Sequence, residues 1–190
     1  MTFNLIYQVR LINNKSIAER TIRVNYENQR YLIESLLPSC FSKNSNILNI
    51  SSKLANPIMI KKKEIREQIL NLNSLYELDE LAREYLSAID DDKAWISPRQ
   101  PVPDYMFSKL LFRKYTMMLG RDNNDIQNKE IKVVSICPGW VKTAMGGYQA
   151  SSTVDDAVGN FGKILTGEFF ETDNDYQGKL VSGGKIVEFK

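Results

Sequence analysis

Histidine is absent from all 190 residues. With it go Ser-His and Cys-His nucleophilic catalysis and any metal site that needs an imidazole. The two cysteines, Cys40 and Cys137, have no metal-ligand spacing and suggest no disulfide framework, so a reducing compartment is the simplest match. Glycine is missing from the whole first half: the first is Gly120. Neither Gly-x-x-x-Gly-x-Gly nor Gly-x-Gly-x-x-Gly, the turns that bring backbone amides to a pyrophosphate, occurs anywhere. No apolar run reaches the length needed to span a bilayer, and the N-terminus lacks the cationic start and apolar stretch of a signal peptide. A cytoplasmic protein without a membrane partner is expected. Net charge is only +2, which argues against nucleic acid as a partner. The one basic run, Lys61-Lys62-Lys63, reads as a solvated helix face.

What remains is an ordinary globular composition, 43% hydrophobic and 25% charged, on a chain of one-domain length with enough residues to bury a core. Residues 3–12 alternate apolar with mixed residues and predict a strand. A helix is expected over residues 17–37, capped by Ser16 and ended by Pro38. Asn25 lies in its middle, where an amide competes for backbone hydrogen bonds. On that fact alone it is an exposed polar position. Residues 47–50 predict a short buried strand running into Ser51 and Ser52. Between residues 57 and 104, helices are expected over 61–72 and 75–89, as a satellite helical insertion. Pro98, Pro101 and Pro103 then lead an extended segment.

Next comes Tyr105-Met-Phe-Ser-Lys109. Four residues apart on a helix, Tyr105 and Lys109 share a face. A neighbouring ammonium favours the phenolate, and a phenol that exchanges protons near neutrality suits carbonyl/alcohol redox chemistry. The spacing by itself is common. Apolar residues from Leu110 to Leu119 continue the helix, with Gly120 as its expected stop. Residues 131–137 predict a second buried strand, ending in Pro138-Gly139-Trp140-Val141-Lys142-Thr143 with Trp140 as an apolar anchor. A helix is expected over 154–165, and two short strands about Ser182-Gly183-Gly184 close the chain. The alternation predicts an α/β fold with a mainly parallel, Rossmann-like sheet and flanking helices.

As a set, these segments resemble the short-chain dehydrogenase/reductase family, and within it the monomeric carbonyl reductases. Ile22-Arg-Val-Asn25-Tyr matches the helix of the family's catalytic asparagine, and Asn49-Ile-Ser-Ser52 its serine strand. Tyr105-x-x-x-Lys109, Cys137-Pro-Gly-Trp-Val-Lys-Thr143-Ala-Met145 and Gln177-Gly-Lys-Leu-Val-Ser182 follow in the family's order. The resemblance, running from about residue 17 to the end, implies NADPH-dependent reduction of a small-molecule ketone or aldehyde, with NADH left open. It implies Tyr105 as proton donor and Lys109 as the residue that tunes it and holds the nicotinamide ribose. Ser52 would bond the carbonyl oxygen, and Asn25 would hold a water linked to Lys109. Thr143, with backbone from Pro138, Gly139, Trp140 and Val141, would contact the nicotinamide end.

The family's opening strand, Gly-rich turn and helix have no counterpart here. Residues 1–190 therefore read as one partial domain, N-terminally truncated, with residues 57–104 as an insertion. An incomplete gene model, a catalytically inactive remnant serving as a binding or scaffold protein, and completion of the sheet by another chain are open readings. An intact member would be a monomer through its insertion; exposed sheet edges would allow self-association of this chain.

Overall fold

A computed structural model describes residues 15–90, 95–96, 102–165 and 175–190. The strand expected over residues 3–12 lies outside them. The described residues divide into two compact units. The first comprises residues up to Leu32, Leu54–Phe112 and Phe189–Lys190; the second comprises Ile33–Lys53 and Arg113–Glu188. Two of the four chain boundaries between them, after Leu32 and after Phe112, fall inside helices.

The first of those helices is continuous from Lys15 to Cys40: α1 (Lys15–Ile22), a π-helical turn at Arg23–Glu27, then α2 (Asn28–Cys40). It begins earlier than expected, so Ser16 lies within its first turn. It also passes through Pro38. A proline that near a helix end removes one ladder bond and little else. The Lys129 ammonium donates to the carbonyls of Leu37 and Pro38, both at 3.1 Å, satisfying acceptors that a helix C-terminus leaves over.

In the first unit, α1 packs on α4 (Leu75–Asp90). α4 buries Leu78, Leu81, Ala82 and Tyr85, at the i, i+3, i+4, i+7 spacing of one helical face. A capping box starts it: Ser74 Oγ accepts from Glu77 N at 3.2 Å, and Glu77 Oε2 accepts from Ser74 N at 3.0 Å. Ahead of it lie a 3-10 turn at Pro57–Met59 and α3 (Lys63–Asn71), the other helix expected in the insertion. Gln68 of α3 donates to Glu84 of α4 at 3.3 Å. α5 (Pro103–Asp122) carries Tyr105 and Lys109 in its first two turns.

The second unit holds a four-stranded sheet, β1 (Asn46–Ile50), β2 (Lys132–Cys137), β3 (Leu180–Ser182) and β4 (Lys185–Val187), in that order. β1, β2 and β3 are parallel, and β4 returns antiparallel to β3. β2 is buried on both faces, as a central strand flanked by helices must be. On one face Val134, Ile136, Val181 and Tyr176 form a cluster with Leu48, Phe161 and Ile186. On the other, Asn49 of β1 donates to Thr116 of α5 at 2.9 Å, both buried. The β3–β4 hairpin closes on Gly183 and Gly184, with φ of +56° and +74°, the doubly left-handed turn that matches strand twist. α6 (Asn124–Asn128) precedes β2, and α7 (Val154–Leu165) follows it. The mainly parallel sheet with flanking helices is the architecture expected from the sequence.

Gly120 does not stop α5, which runs on to Asp122. Its role is steric: a Cβ there would sit 2.9 Å from Gly178 N.

Candidate active site

Tyr105 and Lys109 lie one turn apart near the start of α5, both half-buried. The Lys109 ammonium is 6.0 Å from the centre of the Tyr105 ring and 5.8 Å from that of Phe112. Apolar neighbours are there because α5 buries Met106, Phe107, Leu110 and Leu111 around the pair. Burial holds the Lys109 ammonium below the usual lysine pKa, since a cation loses solvation beside rings and aliphatic carbon.

Asn25 is in the same unit. Its Nδ2 donates to Ser108 Oγ at 3.0 Å, and Ser108 Oγ donates to the Tyr105 carbonyl at 2.9 Å. A polar chain thus runs from Asn25 through the fully buried Ser108 to the backbone of Tyr105. The π-helical turn is where Asn25 sits. Such turns insert an extra residue into a helix, re-aim a side chain and recur at functional sites. Asn25 is therefore half-buried and engaged, unlike a solvent-exposed polar position.

Ser52 and the segment from Pro138 to Thr143 belong to the second unit. Ser51, buried, continues the β1–β2 pairing by donating its N–H to Ile136 O at 2.7 Å; Ser52 follows it, half-buried, at the carboxyl end of β1. Pro138 leaves β2 at its carboxyl end, and Gly139 has φ +88°. The loop then folds on itself. Val141 bridges Ser152, with Lys142 N–H donating to Ser152 O at 2.8 Å and Ser152 N–H to Trp140 O at 3.0 Å. Thr143 Oγ1 accepts from Gly146 N at 3.1 Å. Trp140 is no buried anchor: it is 54% exposed and holds the loop through its indole N–H, which donates to Gly146 O at 2.9 Å. An indole's polar handle here outweighs its apolar area. Met145 and Tyr148 of the same loop are also exposed.

Three residues at the first site were not singled out from sequence. Ser108 lies inside the Tyr-x-x-x-Lys motif, yet no sequence signal marks its burial or its bond from Asn25, 83 residues away. Asp79 and Tyr85, described below, had none, because their partners are 53 and 19 residues distant. Among the described residues no cluster of metal-ligating side chains occurs, and no helix is long and apolar enough to cross a membrane.

No protein-family model matches the chain. Carbonyl reductase (NADPH) 3 of Mus musculus is 29% identical over 146 residues, 74% of this chain and 51% of that protein. Its Rattus norvegicus counterpart is 28% identical over the same length. The chain thus spans about half the length of the curated relatives it matches. Salutaridine reductase from Papaver somniferum superposes with a TM-score of 0.72 at 22% identity, over 88% of this chain and 55% of that one. Menthone neomenthol reductase from Mentha piperita gives 0.65 at 17% identity, over 90% and 52%. The two structures speak to the fold, and the two curated relatives to descent. The chain thus resembles the carbonyl reductases of the short-chain dehydrogenase/reductase family in sequence, and shares its fold with solved reductases.

Proposed function

We propose that the protein reduces a ketone or aldehyde to an alcohol with NADPH as cofactor. The carrying observation is the Asn25–Ser108–Tyr105 chain, with the partly desolvated Lys109 beside the phenol. A reduced nicotinamide dinucleotide would supply the hydride that reaches the carbonyl carbon. Tyr105 Oη gives its proton to the carbonyl oxygen as negative charge develops there. Lys109 favours the phenolate left behind and would hold the ribose next to the nicotinamide. By resemblance, Ser52 Oγ would donate a hydrogen bond to a substrate carbonyl oxygen, lowering the cost of its charge. Asn25, in the π-helical turn, keeps a water in line with Lys109 so that the proton is replaced from solvent.

Residues after β2 support the nicotinamide end of this reading. Gly139 has the open backbone that a close approach needs, and Thr143 Oγ1 and the backbone from Pro138 to Val141 supply polar groups after a parallel strand. For the pyrophosphate end, no Gly-rich turn opens a helix among the described residues. We read the chain as one partial reductase domain with residues 57–104 as an insertion. NADPH is favoured over NADH by the names of the curated relatives.

The test is thermal melting of the purified 190-residue chain with NADPH and with NADH, followed by a carbonyl-substrate screen. A ligand that binds the folded state raises the midpoint with the logarithm of its concentration over Kd. An NADPH-dependent rise, with turnover that Tyr105→Phe abolishes, is the expected result. A cooperative melt indifferent to both cofactors overturns the reading. Turnover that survives in Tyr105→Phe removes the phenol from the mechanism.

A further inference from the structure

Resting on the reductase reading, we infer that helix α4 is a strut that sets both helices of the proton-transfer site, through Asp79 at one point and Tyr85 at another. Neither side chain contacts the reacting groups proposed above, so both are positioning residues.

Asp79 grips the helix of Asn25. Its Oδ1 accepts from Tyr26 Oη at 2.8 Å, and both its oxygens accept from Arg30 Nη1, at 2.7 and 2.8 Å. Arg30 Nη1 also donates to Tyr26 Oη at 3.2 Å, closing a triangle. The Arg30 and Asp79 side chains are 13% and 31% exposed, so solvent screens this pair less than an open surface contact. Tyr26 is fully buried and immediately follows Asn25 within the π-helical turn. The phenol of Tyr26 is thereby fixed, and with it the turn that aims the Asn25 amide.

Tyr85 grips the helix of Tyr105. Its Oη donates to Asp104 Oδ1 at 2.7 Å. Its ring stacks on Phe107, centroids 3.9 Å apart and 14° from parallel, and meets Trp95 edge-on at 5.7 Å. Residues 104 and 107 flank Tyr105 on the first turn of α5, so Tyr85 fixes the position and the rotation of that turn. The two grips lie six residues apart on α4, about 9 Å along a helix. The hydrogen bond from Asn25 to Ser108 closes the frame. Such support matters because a misplacement near 1 Å can cost up to about a hundredfold in rate.

The test uses the 190-residue chain labelled with tyrosine enriched in 13C at Cζ, the Tyr105 resonance being assigned by its loss in Tyr105→Phe. Tyr85→Phe removes the bond to Asp104 and keeps the ring stack; Asp79→Asn weakens the bonds to Arg30 and Tyr26. Both variants should retain the wild-type circular dichroism, move the Tyr105 titration midpoint, and lower kcat about tenfold while KM for NADPH stays within about twofold, the pattern of lost positioning. Asp79→Glu should recover most of the loss, and Tyr85→Phe combined with Asp104→Asn should be no worse than Tyr85→Phe alone. A folded Tyr85→Phe with an unmoved titration and unchanged kcat overturns the inference, whatever Asp79→Asn does. If the wild type itself turns nothing over, the reductase reading fails, and the titration still decides the strut: a midpoint unmoved in both folded variants overturns it.

Discussion

Gly120 and Gly178 meet backbone against backbone, one near the end of α5 and the other just before β3. A Cβ on Gly120 would come within 2.9 Å of Gly178 N and 3.1 Å of its Cα, and neither backbone atom can step aside as a side-chain tip could. On an unencumbered helix, Gly→Ala stabilises by up to about 1 kcal/mol. Here the sign reverses. Gly120→Ala should destabilise by about 1–3 kcal/mol, the usual range for overpacking, and chemical denaturation checks it. A midpoint at or above wild type would show that the two segments have slack.

Ser108 is buried, donates to the Tyr105 carbonyl and accepts from Asn25. Ser108→Ala leaves a donor and an acceptor without their partner and should cost about 1–3 kcal/mol. Asn25→Ala removes the other end of one bond. The double variant should lose less than the sum of the two singles, because both report the same bond. Strict additivity in denaturant midpoints would place the two residues out of contact.

Lys109 gives stability a pH dependence whose sign follows from its burial. Its folded pKa is below the ordinary lysine value of 10.5. Between those two values the unfolded chain binds more protons than the folded one, so Lys109's contribution to stability rises with pH across that window. Lys109→Met lacks this gain. Its melting temperature relative to wild type should therefore fall as pH rises towards the ordinary lysine value of 10.5, read by calorimetry at several pH values. A difference independent of pH would mean the ammonium keeps its solvation in the folded state.

Asp104 carries the opposite sign. Burial raises its carboxyl above the ordinary value of 3.8, the bond from Tyr85 opposing the rise. The folded state then holds the proton more tightly, so the contribution is full below that ordinary value and is lost as pH rises through the folded pKa. Asp104→Asn keeps an acceptor for Tyr85 Oη and carries no charge to desolvate. It should melt at or above wild type at neutral pH and lose that advantage in acid. An advantage that grows on acidification would contradict the burial argument.

Strand β2 was legible because a strand covered on both faces is mostly apolar, and β1 through Ile47, Leu48 and Ile50, although Asn49 interrupts them. The hairpin at Gly183-Gly184 was legible because few other dipeptides tolerate that turn. Helix ends were less so. Pro38 and Gly120 read as stops, yet one sits in a last turn supported by Lys129 and the other makes room for Gly178. Both outcomes depend on residues far along the chain. The π-helical turn at Arg23–Glu27 has no periodic signature, being one extra residue in an otherwise regular helix. At the site, the Tyr105 and Lys109 spacing was visible, and Asn25 stood out only as a poor helix residue. Ser108, Asp79 and Tyr85 were invisible because what distinguishes them is contact over long sequence separations.

The two tryptophans differ in exposure, Trp95 at 5% in the first unit and Trp140 at 54% in the second. No other residue of that type exists in the sequence. Intrinsic fluorescence is thereby split: the blue-shifted, quencher-resistant part of the emission belongs to the aromatic stack around Tyr85 and Phe107, and the iodide-sensitive part to the loop closed on Gly146. Each unit carries its own optical label, so loss of the stack and opening of the loop can be timed separately in one unmodified sample.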